Sequence, residues 1–381
     1  MKAPSGPLDG VTVLDLTEFI FGPYATQTMG DLGADVIKVE NPGGDRQRTG
    51  SRFAKNEDMG ATFMAMNRNK RSVIMDLKSD EGRARLRKLI PKAQVFIHNV
   101  RADAMARLGF GYEEVAKINP SIVYVHCVGY GAGGPYAGRQ AFDDLVQAAS
   151  GASDLLPRVD GGEMRLLPTF VADKVSSLHA LYATLAALFH RERTGEGQFV
   201  EVPMFESFTH FTMLEHLYGE TFMPVQGRIG HTPALANDRR PLKTKDGYIA
   251  IQPVSRAASA KFLELGGIPN AYESDRFVNA PKGQRVAVYY EMLREAALKH
   301  TTDEWMTLGD ENRIPIMRAN TLNDVLEDPH LKAVNFFQTR EHPTEGKWRA
   351  MKPPIHFSKT PASIRRDPPR PGADQKDFDQ S

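Results

Sequence analysis

The chain has 381 residues and carries 48 Lys and Arg against 47 Asp and Glu, too many residues for one ordinary core and enough for two domains. The balanced charge gives no sign of a nucleic-acid partner, so any phosphate binding must rest on local clusters of Arg and Lys. The single cysteine, Cys127, excludes an internal disulfide framework and fits a reducing cytoplasm. Met1 to Gly6 leads into no long apolar run, so a soluble cytoplasmic protein is expected, without a signal peptide or membrane span.

In chain order, Val11 to Leu16 reads as a compact β-strand. Pro23 suits the first turn of a helix and Gly33 its end. Asp35 to Glu40 is the next strand, which completes a βαβ unit. Ser72 to Leu77 follows as a strand, and Ser79 is placed to cap a helix with Asp80 and Glu81 in its first turn. Ala93 to Val100 is a strand followed by a short helix through Leu108. Ile122 to Val128 is a strand that ends in the glycine-rich run Gly129 to Pro135. From Asp173 the apolar positions Val175, Leu178, Tyr182, Leu185 and Phe189 recur at helical spacing. A strand from Gln198 to Val202 and an apolar helix from Met204 to Tyr218 close this half. Strand alternating with helix predicts a mostly parallel, helix-covered sheet.

The pattern then changes. Residues 224–245 are rich in Gly, Pro and Arg. Residues 246–330 open with a strand, Tyr248 to Gln252, and turn mainly helical. Lys352 to Gly372 is proline-rich and extended. The expected division is a large domain (1–200), a connecting helix and linker (201–245), a small domain (246–330) and a C-terminal return to the large domain (331–381).

In open parallel sheets, ligands sit beyond the carboxyl ends of the strands. Thr17 to Gly22, Asn41 to Arg48, Asn99 to Arg101 and Gly129 to Gly134 all lie at such ends. They bring glycines, backbone N–H groups, Arg46, Arg48 and Arg101 to one rim, with Lys70, Arg71 and Lys78 flanking in sequence. That is a seat for a phosphorylated nucleotide. The first turn has one glycine, Gly22, and no G-x-G-x-x-G, and no Walker motif is present. There is no H-E-x-x-H, C-x-x-C or G-x-S-x-G, so neither zinc nor serine hydrolysis has support, and no metal is expected.

Asp173 heads an apolar helix. An aspartate there reads first as a cap; the same position also suits a nucleophile whose ionised form the helix dipole favours, with nearby N–H groups for an oxyanion. Asp143 and Asp144 read as caps of the helix running to Ser150. His126 and Cys127 sit inside an apolar strand and read as core.

Taken together, Val13-Leu14-Asp15-Leu16-Thr17, Gly22-Pro23, Leu32 to Glu40, Gly44-Asp45, Asn69-Lys70-Arg71-Ser72, Arg107-Leu108-Gly109, Gly134-Pro135-Tyr136, Thr194 to Gln198 and Asp328-Pro329-His330-Leu331 resemble the class III CoA-transferases. This is the formyl-CoA and carnitine CoA-transferase family, which shares its superfamily with alpha-methylacyl-CoA racemase. The resemblance implies an α/β fold, with a Rossmann-like parallel-sheet large domain, a smaller α+β domain and an interlocked-ring homodimer. It places the nucleophile at Asp173. It implies coenzyme A contacts at Ile20 and Phe21, at Met75 to Lys78, at Asn99, Val100 and Arg101 on the adenine side, and at Arg107 and Val128, Gly129, Tyr130 and Gly131. Asn41 and Val128 stand where characterised members carry basic residues, so the phosphate contacts pass to Arg48, Lys70 or Arg71.

The implied reaction moves CoA from an acyl-CoA to a carboxylic acid through an aspartyl anhydride and an aspartyl-CoA thioester. Acyl-CoA and the acid are the expected partners, with no nucleic acid and no membrane. Two alternatives stand beside it. The first is an acyl-CoA racemase, disfavoured because Phe142 occupies the place of the proton-carrying His before Asp143. The second is a CoA-binding protein without catalysis. Tyr136, His231 and Arg239-Arg240 are further candidates for the acyl pocket. The short polar tail, Ala373 to Ser381, departs from the family's apolar closing helix.

Overall fold

The computed structural model describes residues 6–49, 53–253 and 255–379. Met1 to Ser5, read above for a leader, and the last two residues of the tail lie outside the described residues. The chain forms two compact units. One comprises Met1–Pro157, Glu163–Leu217 and Asn335–Ser381, and the other Arg158–Gly162 and Tyr218–Val334.

The first unit is built on a six-stranded sheet: β1 (Thr12–Leu16), β2 (Asp35–Glu40), β3 (Lys70–Ile74), β4 (Val95–His98), β5 (Val123–Val128) and β6 (Gln198–Pro203), in the order β3-β2-β1-β4-β5-β6. Every pairing is parallel. The strand order reverses between β1 and β4, which opens a crevice at their carboxyl ends. The strands are apolar on both faces because helices cover both. Alternate side chains go to opposite sides. Val13, Val36, Val95 and Val123 form one core, and Leu14, Ile37, Phe96 and Tyr124 the other.

The long helix Val171–Thr194 closes the first core through a small-residue face, Ala172, Ser176, Ser177, Ala180, Thr184 and Ala187. Small side chains let it lie close to the helices Pro23–Asp31 and Met204–His216. The apolar stripe that predicts this helix is therefore not its buried side. Leu178, Tyr182 and Phe189 are exposed. Gly195, at φ 79, ends the helix and donates its N–H to the Arg191 carbonyl.

The C-terminal segment lies along the edge strand β3. Asp374 Oδ2 accepts the Ser72 N–H and Gln375 Oε1 accepts that of Ile74, each at 2.9 Å. Side chains thus satisfy an edge that would otherwise be open. The tail carries a short helix, Gln375–Asp379, whose Phe378 packs on the core and under the Arg71 guanidinium. A polar tail serves this docking because the groups it meets are backbone N–H.

The second unit has a three-stranded antiparallel sheet of Leu242–Lys243, Tyr248–Ile251 and Ile316–Arg318. Its core centres on Phe262 stacked on Trp305, centroids 4.2 Å apart. No described helix is long and apolar enough to cross a membrane.

Candidate active site

A cleft of about 890 Å³ opens at the carboxyl ends of the parallel strands, lined by the loops after β1, β2, β4 and β5 and by the start of the long helix. It is the crevice that the strand order creates.

The first loop is held from the side by Asn99. Its Nδ2 donates to the carbonyls of Glu18 (2.8 Å) and Phe21 (2.9 Å), and its Oδ1 accepts the Glu18 N–H at 3.1 Å. Phe19 sits at φ 66, with its N–H on Asp45 Oδ1. Beneath the loop lies a buried ionic network. Lys38 Nζ meets Asp45 Oδ2 at 2.8 Å and the Thr17 carbonyl at 2.8 Å. Lys70 Nζ donates to Asp15 Oδ2 at 3.0 Å, Asn67 Oδ1 at 2.8 Å and the Pro23 carbonyl at 3.1 Å. Arg48 pairs with Glu40 through both Nε and Nη2, at 2.7 Å each, and reaches the Pro369 carbonyl at 3.1 Å. Burial opposes ionisation of Asp15, yet Lys70, Lys38 and the hydroxyls of Thr17 and Thr26 hold it down at about 2. Burial pushes the Lys70 ammonium down to about 8. Buried charges persist only when paired and hydrogen-bonded in this way.

Asp173 lies in the first turn of its helix, two residues beyond the first helical residue, Val171. Phe170 occupies the cap position, and no side chain caps this helix. The cap reading of Asp173 therefore fails. Its own N–H is committed as well, donating to Asp143 Oδ1 at 2.9 Å, so it is not free for an oxyanion. Asp143 is buried in the first turn of the helix Asp143–Ala149, where Phe142 takes the cap position instead. Its Oδ2 accepts from Gln147 Nε2 at 2.5 Å. Gln147 in turn accepts the Leu167 N–H at 2.8 Å and donates to the Thr169 carbonyl at 3.1 Å. This chain of bonds fastens the segment that leads into Asp173. The carboxyl of Asp173 is pushed up to about 7, first by burial and then by the charges of Asp143 and Asp144. These outweigh the helix dipole, which alone would hold it low.

Of the residues expected from sequence, the cleft gathers Ile20, Phe21, Asn99, Val100, Arg101, Val128, Gly129, Tyr130 and Asp173. The others point elsewhere. Arg48 and Lys70 belong to the buried network. Arg71 pairs with Asp35 on the neighbouring strand. Met75 is in the core, and Arg107 is exposed and bound to Asp103 at 2.8 Å. Lys78 does not line the cleft. Gly131 N–H is taken by Glu206 Oε1, and Ala132 N–H by Glu201 Oε1, each at 2.9 Å. The glycine-rich loop therefore already holds carboxylates where a phosphate cradle was expected.

The cleft also includes Arg46, which was expected at this rim, and residues that were read otherwise or passed over: Phe19, Arg139, Phe142, Asp143 and His126. His126 and His98 both turn a ring nitrogen to the Val100 carbonyl at 3.0 Å and stack with centroids 4.4 Å apart. Burial holds both below the ordinary histidine range. Among the described residues, no group of three or more His, Cys, Asp or Glu is placed to hold a metal.

The sequence model of the family described as CoA-transferase family III matches residues 8–375. Succinyl-CoA:glutarate CoA-transferase of Homo sapiens is 30% identical over 368 residues, 95% of this chain and 83% of that protein. Acetyl-CoA:oxalate CoA-transferase of Acetobacter aceti is 32% identical, covering 86% of this chain and 84% of its own. The crystal structure of a CAIB/BAIF family protein from Brucella suis superposes with a TM-score of 0.84 at 28% identity, over 99% of both chains. A nearly full-length family match, named transferase relatives and a shared fold converge: the chain belongs to CoA-transferase family III and is an enzyme of that class.

Proposed function

We propose that the enzyme moves CoA from a short acyl-CoA to a carboxylic acid, with Asp173 as the covalent nucleophile. The observation that carries this reading is the position of Asp173. It lines the cleft, its main chain is pinned to Asp143, and its basicity is raised toward neutral pH. A carboxylate that ionises near 7 is a better nucleophile than an ordinary one, and half of it is ionised at that pH.

An Asp173 oxygen attacks the thioester carbonyl, the C–S bond breaks, and a mixed anhydride and CoA thiolate result. The thiolate attacks the aspartyl carbonyl, giving an aspartyl-CoA thioester and the free donor acid. The acceptor carboxylate attacks that thioester, forming a second anhydride and again releasing thiolate. The thiolate then takes the acceptor acyl group and restores the Asp173 carboxylate. Each step exchanges one acyl bond for another, so no nucleotide hydrolysis is required.

CoA would lie along Ile20, Phe21, Asn99, Val100 and the Val128 to Tyr130 segment, with Arg46 and Arg101 available to its phosphates. The human and Acetobacter relatives are named for succinate, glutarate and oxalate. On that likeness we take at least one of the two acids to be dicarboxylic. We also take the enzyme to be a cytoplasmic homodimer. The exposed stripe Leu178, Tyr182 and Phe189 supports a partner subunit, and the buried thiol Cys127 suits a reducing compartment.

The test is mass spectrometry of protein incubated with a panel of acyl-CoAs and then hydroxylamine. An adduct at Asp173, absent in Asp173→Ala, supports transfer. Deuterium uptake at the acyl α-carbon without an adduct would point to racemisation. Phe142, half exposed in the cleft against Phe19, supplies no proton carrier for that.

A further inference from the structure

The acid substrate faces an electrostatic obstacle. It must bring a carboxylate to Asp173, beside Asp143 and Asp144, in a partly buried site. Like charges so placed repel unless a cation joins them. Three arginines line the cleft: Arg46, Arg101 and Arg139. Two have acidic neighbours. Arg46 Nε lies 4.0 Å from Glu18 and over the Phe19 ring, and Arg101 Nε lies 3.7 Å from Asp103. Arg139 has no carboxylate partner among the described residues; it stacks on Tyr136, 4.6 Å from the ring centroid.

That stack is built into the backbone. The Arg139 N–H donates to the Tyr136 carbonyl at 3.0 Å across a four-residue turn, with Gly138 at φ 77 in its third position. Glycine suits that conformation. The turn therefore sets guanidinium against ring. Stacking uses one face of the fork and leaves its edge of N–H donors for a planar anion, which a carboxylate matches with two parallel bonds.

Its place along the chain assigns it to the acyl end. Two residues separate Arg139 from Phe142, so their Cα atoms, three peptide links apart, lie within roughly 11 Å of each other. The next residue, Asp143, holds the main chain of Asp173. The whole pantetheine arm separates the phosphates of CoA from its thioester, so the part of the cleft around Asp173 takes the acyl group and not the nucleotide.

We propose that Arg139 is the specificity residue for the acid: it receives a second carboxylate on the acyl substrate, so that short dicarboxylic acids are preferred to monocarboxylic ones. The inference rests on the transferase reading above.

The experiment compares glutarate with butyrate as acceptors, by kcat/KM, in wild type, Arg139→Ala and Arg139→Lys. The expected result is a wild-type preference for glutarate that falls at least ten-fold in Arg139→Ala and returns only in part in Arg139→Lys, which restores charge without the fork. Residual transfer to butyrate confirms that the variants fold. An unchanged glutarate-to-butyrate ratio overturns the assignment. So does a loss of affinity for free CoA, by calorimetry, that accounts for the whole effect, since Arg139 would then be a phosphate contact. If wild type transfers CoA to no acid, the transferase reading falls by itself, and titration of glutarate into CoA-loaded protein decides the rest. Binding weakened by Arg139→Ala sustains the assignment, and binding indifferent to it ends it.

Discussion

Asp143 holds the main chain of Asp173 through a 2.9 Å hydrogen bond while its charge opposes the ionisation of the Asp173 side chain. One residue thus fixes the position of the nucleophile and raises its basicity. Replacing Asp143 with Ala removes the anchor, and a nucleophile displaced by about 1 Å loses on the order of 100-fold in rate. The expected outcome is a fall in kcat of about 10- to 100-fold, with CoA affinity by calorimetry nearly unaltered.

Asp144 separates charge from geometry. It is exposed, and among the described residues no hydrogen bond or ion pair involves its side chain, yet its charge helps raise Asp173. The attacking form is the carboxylate, so acylation rises with pH through about 7. Asp144→Asn makes ionisation easier and should move that midpoint down by roughly a few tenths of a unit, the scale of an exposed charge pair. Adduct formation followed against pH measures it; a midpoint that stays or rises contradicts the assignment.

The same raised carboxyl carries a stability cost. An acid whose pKa is higher folded than unfolded binds its proton more tightly in the native state. Stability is therefore lost as pH climbs from the ordinary aspartate value of 3.8 to about 7, and the loss is complete above that. Asp173→Asn cannot ionise. At pH 8 it should be more stable than wild type by about 1–3 kcal/mol, discounted for partial exposure. The gain should shrink to nothing near pH 4. Thermal melts at the two pH values check the sign.

Lys70 offers a contrast. It is completely enclosed, and removing it costs Asp15 its ion pair beneath the first loop, leaving the buried charge to Thr17, Thr26 and the more distant Lys38. Lys70→Met should cost about 3–5 kcal/mol, read by denaturant unfolding, while the folded fraction binds CoA with near wild-type affinity. A selective loss of CoA affinity at unchanged stability would return Lys70 to the phosphate site.

At Gly129 a Cβ would lie 2.2 Å from the Cβ of Ala141. Gly129→Ala must therefore push the strand end and the loop apart, a strain of about 1–3 kcal/mol. Activity should fall about ten-fold, and the double variant Gly129→Ala with Ala141→Gly should recover most of it.

The outward stripe of the long helix predicts assembly. Tyr182→Glu combined with Phe189→Glu sets charges on an exposed apolar face. Light scattering should then report a smaller mass than for wild type. An unchanged mass removes this face from any subunit interface.

Much of this was legible from residues alone. The six strands alternate with helices as the apolar runs and turn residues dictate, and Asp173 lies at a helix start within the cleft. The basic residues were harder. Lys70 and Arg48 look like phosphate ligands in sequence because their partners are distant along it: Asp15 lies in another strand, and Pro369 near the end of the chain. A signal was present. Asp15, Lys38 and Glu40 sit within strands that a parallel sheet buries, and buried charge demands a counter-charge. The long helix misled differently, since its burial depends on closeness of approach and not on apolarity. Nor does local sequence reveal that Glu201 and Glu206 occupy the glycine-loop N–H groups, because these contacts cross from β6 and the following helix.

The dependence of Arg48 on the Pro369 carbonyl, and of Ser72 on Gly372, has a consequence for biosynthesis. The floor under the first loop needs donors and acceptors that lie 300 or more residues later in the chain. Until the segment around Pro369 and Gly372 has been made, the early strands stand over an unfinished floor, so a change in that segment would be felt near the beginning of the chain.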